Sequence, residues 1–325
     1  IINGGTIKSR RGVCIPGIKL DIPFVSEQDK EDIIYACEHE GDFIALSFVS
    51  TKDDVLEARE LLKANGREDM KIISKIESVT GIENLDEIIE ASDGIMVARG
   101  DLGVEVPMEE LPYVEKLMIQ KCREQGKICV VATEMLESMK KSARPTRAVS
   151  DVAYAVMSGA DAVMLSGETT VGKFPVETVG YMARICENAE AHNENKLSFD
   201  YKKEIGLTQT IANGVVSSAN MLNAKLIAAS TISGFTARKI SNLRPNCPIL
   251  AICPNEDVCR ELALNYGVYT KVVPMLNTTD EVLEEALKSA KEFIPMQKKD
   301  VVVLTGGFPN TGIKKTTNLM KIEEI

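Results

Sequence analysis

Two strings of this chain, and the threonine that ends the next apolar run, place side chains that could handle a strongly anionic substrate. In Ile72-Ile73-Ser74-Lys75-Ile76-Glu77 the lysine and the glutamate stand two apart. Residues so spaced on a strand leave the same face, so a cation and a carboxylate would project together. Alone, that spacing is served at least as well by a solvated ion pair on an edge strand. The second string, Val97-Ala98-Arg99-Gly100-Asp101-Leu102-Gly103, puts a carboxylate after a glycine at the end of an apolar run. Glycine there lets backbone N–H groups come close to a ligand. Glu77 and Asp101 on neighbouring strand ends would offer hard oxygen donors to Mg²⁺ or Mn²⁺ and leave positions for water and substrate oxygens. Lysine beside such a cation is useful where negative charge builds up, as on a transferring phosphoryl group or an enolate. Thr133 adds a hydroxyl at the start of an expected helix, as an N-cap, an anion contact or both.

These residues need a frame in which strand ends converge. Short apolar runs at 43–46, 70–73, 94–98, 128–132 and 162–165 alternate with amphipathic stretches of helical period. Each run stops at polar or charged residues: Ser47, then Lys75 and Glu77, then Arg99 to Asp101, then Thr133 and Glu134, then Ser166 to Glu168. Repeated βα units of this kind predict an α/β fold of the TIM-type (β/α) barrel, whose strand C-termini share one face. Five units are visible against the eight of a closed barrel, so the expectation is an incomplete barrel whose first three units lie outside this sequence. The opening, with Asn3-Gly4-Gly5 and Pro16-Gly17, reads as the tail of a small β-rich unit.

The polar stretch from Glu187 to Glu204 reads as a helix end and a linker. Beyond it, helices near 207–222, 236–243, 256–266 and 280–293 alternate with strands at 226–231, 249–253, 269–273, 301–305 and 319–322. That order predicts a smaller doubly wound sheet. The expected divisions are 1–20 for the β-rich remnant, 21–195 for the barrel portion and 206–325 for the second α/β domain.

A chain of 325 residues is comfortable as two domains, and 44% apolar with 26% charged residues excludes disorder as its main state. The formal net charge of -10 argues against nucleic acid and anionic lipid as partners, and leaves an anionic substrate dependent on a local cation or metal. No apolar run approaches the roughly 18 residues of a membrane helix, and the first residues lack a signal-peptide core. The eight cysteines are dispersed without a C-x-x-C pair, and read as small buried hydrophobes of a reducing, cytoplasmic protein. With only His39 and His192, neither a His-rich zinc site nor a Ser-His-Asp set is expected.

The strings SKIE, MVARGDLGVEVP, ATEMLESM, RPTRA with SDVAYAV, and DAVMLSGET, in this order, closely resemble the pyruvate kinase family. The opening KSRRGVCIPG resembles that family's junction between lid domain and barrel. The resemblance implies phosphoryl transfer from phosphoenolpyruvate to ADP, giving pyruvate and ATP, in a cytoplasmic glycolytic homotetramer. It implies that Lys75 stabilises the transferring phosphoryl and the enolate, that Glu77 and Asp101 hold the divalent metal, and that Gly100, Asp101 and Thr133 contact phosphoenolpyruvate. Ser166 and Glu168 resemble positions suspected of relaying a proton, and serve equally as a turn and helix start. The ligands of a monovalent cation, K⁺, would lie in the segment absent here. The chain also departs from the family at Ala148, which Val149-Ser150 follow without the usual glutamate.

In the second domain, Thr231-Ile232-Ser233-Gly234-Phe235-Thr236 joins a strand to a helix and makes a plausible phosphate nest. It resembles the loop that holds phosphorylated small-molecule effectors in regulated pyruvate kinases. An ordinary capped βα turn would carry the same residues, and Thr305-Gly306-Gly307 with the loop through Gly312 would form a second wall. Two other functions stay open. A metal-dependent lyase acting on pyruvate enolate needs only Glu77 and Asp101, and Lys75 argues for the kinase. An effector-binding and assembly fragment needs only the second domain.

Overall fold

Apolar strands and amphipathic helices fold into two five-stranded sheets, each with helices packed on it. The computed structural model describes residues 4–6, 9, 15, 22–193, 206–307 and 317–325. The first sheet is built by α1 (Glu27–Glu38), β1 (Phe43–Leu46), α2 (Lys52–Ala64), β2 (Lys71–Ile76), α3 (Val79–Glu83), α4 (Leu85–Ala91) and β3 (Gly94–Ala98). It continues through α5 (Arg99–Glu105), α6 (Leu111–Gln125), β4 (Ile128–Ala132), a 3₁₀ turn at Glu137–Lys140, α7 (Val149–Ser158), β5 (Ala162–Met164), α8 (Gly167–Thr170) and α9 (Pro175–Ala191).

The order β1-β2-β3-β4-β5 follows the chain, and every pairing is parallel. All five strand C-termini therefore lie along one edge, as the βα reading requires. β3 and β4 are buried at every residue, as continuous apolar parallel strands are when both faces are covered. Ile72, Ile76, Ile95, Val97, Cys129 and Val131 pack against the helices. Ile73, Met96, Ile128, Val130 and Ala132 face the other way, onto Leu264 of the second unit among others.

The second unit comprises α10 (Leu207–Met221), β6 (Leu226–Ser230), α11 (Phe235–Ser241), β7 (Ile249–Cys253), α12 (Glu256–Leu262), β8 (Val268–Val272), α13 (Thr279–Phe293), β9 (Val301–Gly306) and β10 (Leu319–Glu324). Its order is β10-β9-β6-β7-β8, parallel except for β10, which runs antiparallel to β9. The chain winds from β6 outward to β8 and then returns to β6's other side, so the order reverses between β6 and β9. Ligands of doubly wound sheets lie at such a reversal.

Buried polar contacts join the units. Asp161, just before β5, accepts the N–H groups of Cys129 at 3.0 Å and Tyr266 at 3.3 Å, and pairs with Arg244 at 3.1 Å. Arg260 reaches Asp42 at 3.0 Å, and Lys71 reaches Glu261 at 3.3 Å.

Two of the cysteines come together: Cys253 at the end of β7 and Cys259 in α12, which begins just after it, stand with their sulfurs in contact. Cys37, Cys122, Cys129, Cys186 and Cys247 are free, and Cys14 lies outside the described residues. Among the described residues no helix is long and apolar enough to cross a membrane.

Candidate active site at the strand C-termini

β2 ends with Lys75 and Glu77 turned to one place, as the two-residue period dictates. Lys75 Nζ lies 2.8 Å from Glu77 Oε1 and donates to Ser47 Oγ, at the end of β1, at 2.8 Å. Glu77 Oε2 accepts the Phe48 N–H at 2.6 Å. Glu77 is 1% exposed and β2 lies between β1 and β3, so this is not the solvated edge pair that the spacing alone would allow. Phe48 itself has a positive φ of 55°, and that uncommon backbone points its amide at the carboxylate.

β3 and β4 end in two loops tied together. The Gly100 N–H donates to Thr133 Oγ1 at 2.7 Å, and the Thr133 hydroxyl donates to its neighbour's carbonyl, Ala132 O, at 2.6 Å. Thr133 does not start a helix. It opens a turn in which Thr133 and Glu134 both have positive φ, 66° and 53°. A β-branched residue there costs about 1–3 kcal/mol, and such strain gathers at functional sites. Arg99 secures the turn: Nε and Nη2 donate to Thr133 O at 3.2 and 3.0 Å, and Nη2 donates to Glu134 O at 2.9 Å. Asp101 stands exposed in the first turn of α5, after β3 and so on the same sheet edge as Glu77.

Glu168 is 1% exposed, and its two oxygens accept the N–H groups of Leu136 at 3.0 Å and Ser166 at 2.9 Å. It thereby fastens the loop after β4 to the one after β5. Ser166 precedes α8, and its carbonyl accepts the hydroxyls of Thr169 and Thr170, so the helix-start reading of this string is present in the backbone.

Three clusters thus form along one edge: Ser47, Lys75 and Glu77; Arg99, Gly100 and Thr133; Ser166 and Glu168. No group of three or more His, Cys, Asp or Glu side chains suited to a metal occurs among the described residues. Glu77 and Asp101 are carboxylates of the kind Mg²⁺ takes, and both Glu77 oxygens are engaged here, by Lys75 and by the Phe48 N–H. Sequence reasoning missed Arg99 as a working residue, although it stands directly before Gly100 and Asp101 after a fully buried strand.

In the second unit, the loop after β6 lies at the order reversal. Gly234 has a φ of +75°, and a Cβ there would meet Arg238 Nη1 at 2.7 Å. Arg238 folds back and donates to Ser233 O. Thr231 is buried, and Thr236 is buried with its hydroxyl 2.8 Å from that of Thr317. Of the loop's hydroxyls, that of Thr236 is therefore already engaged. The expected wall continues beyond Gly307 into 308–316, outside the described residues.

A family model described as "Pyruvate kinase, barrel domain" matches residues 1–179, and one described as "Pyruvate kinase, alpha/beta domain" matches residues 209–323. The pyruvate kinase of Clostridium perfringens is 45% identical over 100% of this chain and 70% of its own length. That of Geobacillus stearothermophilus is 46% identical over 100% of this chain and 56% of its own. The crystal structure of a pyruvate kinase from Cryptosporidium parvum superposes with a TM-score of 0.86 at 41% identity, covering 95% of this chain and 64% of the other. The chain spans between about half and about two thirds of the length of these relatives. With two family models covering both sheets, and the strand-end clusters built from the strings that carry the resemblance, this chain belongs to the pyruvate kinase family.

Proposed function

We propose that this chain supplies the metal and phosphoryl-handling edge of a pyruvate kinase, transferring the phosphoryl group of phosphoenolpyruvate to ADP. The bond from phosphorus to the enol oxygen breaks, a bond to a β-phosphate oxygen of ADP forms, and one proton enters the methylene carbon, giving pyruvate and ATP. The observation that carries this reading is the pair of part-exposed Lys75 with buried Glu77, 2.8 Å apart on the strand-end edge. A divalent cation held by Glu77 and Asp101 would supply charge neutralisation to the phosphoryl oxygens and the developing enolate.

In this reading Lys75, aimed by Ser47 and Glu77, meets the phosphoryl group as charge develops on it. Gly100, Asp101 and Thr133 form the wall that holds phosphoenolpyruvate, and Thr133, or a water beside it, delivers the proton to the enolate. Glu168, with both oxygens engaged by backbone N–H groups, serves by holding the Ser166 loop and the Thr133 turn in register. The Thr231–Thr236 loop is read as a phosphate site for a small-molecule effector, since it stands at the strand-order reversal. The domain divisions 21–195 and 206–325 and a homotetramer belong to the same reading.

Pyruvate formation from phosphoenolpyruvate and ADP, assayed in the full chain with Mg²⁺ and K⁺, tests it. The expected result is turnover that Lys75→Met lowers about 100-fold or more. A full chain that binds Mg²⁺ yet gives no phosphoenolpyruvate-dependent ATP would sink the assignment.

A further inference from the structure

The loop that carries Thr133 is held by Arg99, and Arg99 is held from behind by an unexpected group. β3, fully buried, delivers the guanidinium into the core at 7% exposure. Nε and Nη2 are spent on the carbonyls of Thr133 and Glu134. Nη1 faces the other way, 3.6 Å from Glu115 Oε2 on α6 and 4.0 Å from Asp151 Oδ1 on α7.

Glu115 is 2% exposed and stands among Val114, Met118 and Ile119 on the apolar face of α6. Its Oε1 has no hydrogen-bond partner among the described residues. A carboxylate in such a place costs more than an apolar side chain of its size, and an ion pair of this length does not repay the desolvation. Stability therefore does not account for a charge at this position. What the charge does supply is a negative field behind Nη1, which turns the other two nitrogens toward the strained carbonyls.

We propose that Glu115 is a positioning residue for the phosphoenolpyruvate wall, acting through Arg99 to hold Thr133 and Glu134 in their left-handed turn. This rests on the proposed kinase reading for its activity readout, but not for its structural one. The remaining surroundings are simple. β3 and β4 present apolar residues to α6, and the α4 carboxylate Asp86 is paired with Lys121 further along the helix, so Arg99 and Asp151 are the charges that act on Glu115. Burial pushes the Glu115 carboxyl up to about 7, with Asp151 adding to the rise and Arg99 opposing it. The brace consequently weakens as pH falls below neutrality.

Glu115→Gln in the full chain separates positioning from packing. The isosteric amide should lower kcat about tenfold or more, because a misplaced wall loses orientation in the transition state. It should leave the denaturation midpoint at pH 8 unchanged or raised. Wild type should show an acid limb in kcat centred near pH 7 that the amide variant lacks, and Glu115→Asp should recover part of the rate. Amide exchange at Gly100, whose N–H is bonded to Thr133 Oγ1, should quicken in Glu115→Gln. This last readout needs no activity. If wild type is inactive, the kinase reading fails, and Gly100 exchange alone decides for or against the brace. Unchanged Gly100 exchange overturns the proposal, as do wild-type kcat and pH profile in Glu115→Gln.

Discussion

The Gly100 N–H donates to Thr133 Oγ1 at 2.7 Å, so the loops that follow two neighbouring strands are held by one hydrogen bond between a glycine amide and a strained threonine. Thr133→Val keeps the branched shape and removes the acceptor. It should leave the Gly100 amide unpaired and cost about 1–3 kcal/mol, together with a tenfold or greater loss of turnover. Thr133→Ser should retain most of both. Denaturation midpoints and initial rates for the pair check this, and equal behaviour of Val and Ser would show that the hydroxyl is idle.

Lys75 and Glu77 give a prediction in which metal and stability are coupled. In Lys75→Met, Glu77 stays buried with the Phe48 N–H as its one remaining described partner. The loss of the ammonium should cost about 2–3 kcal/mol without divalent cation, and Mg²⁺ should restore part of it by occupying the carboxylate. Turnover should fall about 100-fold or more even with saturating Mg²⁺. Thermal scans with and without Mg²⁺ test the first part. A variant that Mg²⁺ does not stabilise would remove Glu77 from the metal set.

Much of the frame was legible before any coordinate. Apolar runs bounded by turn residues placed the strands at 43–46, 94–98, 128–132 and 249–253 as they stand, the last three because parallel buried strands are continuous in hydrophobicity. β2 spans Lys71–Ile76, past the apolar run at 70–73, because Ser74 and Lys75 interrupt the run while the strand continues toward Glu77. The site was legible where chemistry coincided with spacing, as at Lys75 and Glu77. It was illegible where geometry is non-local. Arg99 and Glu115 lie 16 positions apart and meet only because α6 packs over α5. The left-handed turn at Thr133 has no glycine or asparagine to announce it. The Thr236–Thr317 contact crosses 81 positions of sequence.

Glu115 also sets a pH dependence of stability. Its carboxyl rises from 4.5 to about 7 on folding, so between those values the folded chain holds a proton that the unfolded chain has released. Stability is greatest below the unfolded value, declines as pH rises through about 7, and is flat above; the loss is about 3 kcal/mol. The difference between wild type and Glu115→Gln isolates this from other carboxylates. Urea midpoints at pH 5 and pH 8 should diverge in the wild type relative to the variant, and parallel curves would show that Glu115 does not titrate in that window.

Asp161 serves both units, since its carboxylate accepts from Cys129, Tyr266 and Arg244 with its side chain 0% exposed. Asp161→Asn presents an NH₂ group where donors converge and leaves Arg244 without its carboxylate, held by the carbonyls of Ser241 and Gly159. It should cost about 3–5 kcal/mol. Adding Arg244→Met should recover part of that loss, because the stranded charge is removed. Calorimetry of the single and double variants checks it, and a double variant no more stable than the single would show that the stranded Arg244 charge is not the source of the loss.

The loop after β6 gives the last expectation. Gly234 holds a φ of +75° beside Arg238, whose side chain closes over Ser233 O. An alanine there would be strained by its backbone and would push the guanidinium away, at a cost of about 1–2 kcal/mol. If a phosphorylated small molecule occupies this loop, Arg238 must leave Ser233 to meet it, and the amides around Gly234 must stay open to the phosphate. Calorimetric titration of the full chain with sugar phosphates and nucleoside monophosphates should then find one class binding below millimolar. Ser233→Asp should abolish that binding through charge repulsion, while Gly234→Ala should weaken it. No binding from either class, or binding indifferent to Ser233→Asp, would leave the loop as a capped turn whose arginine serves only to close it.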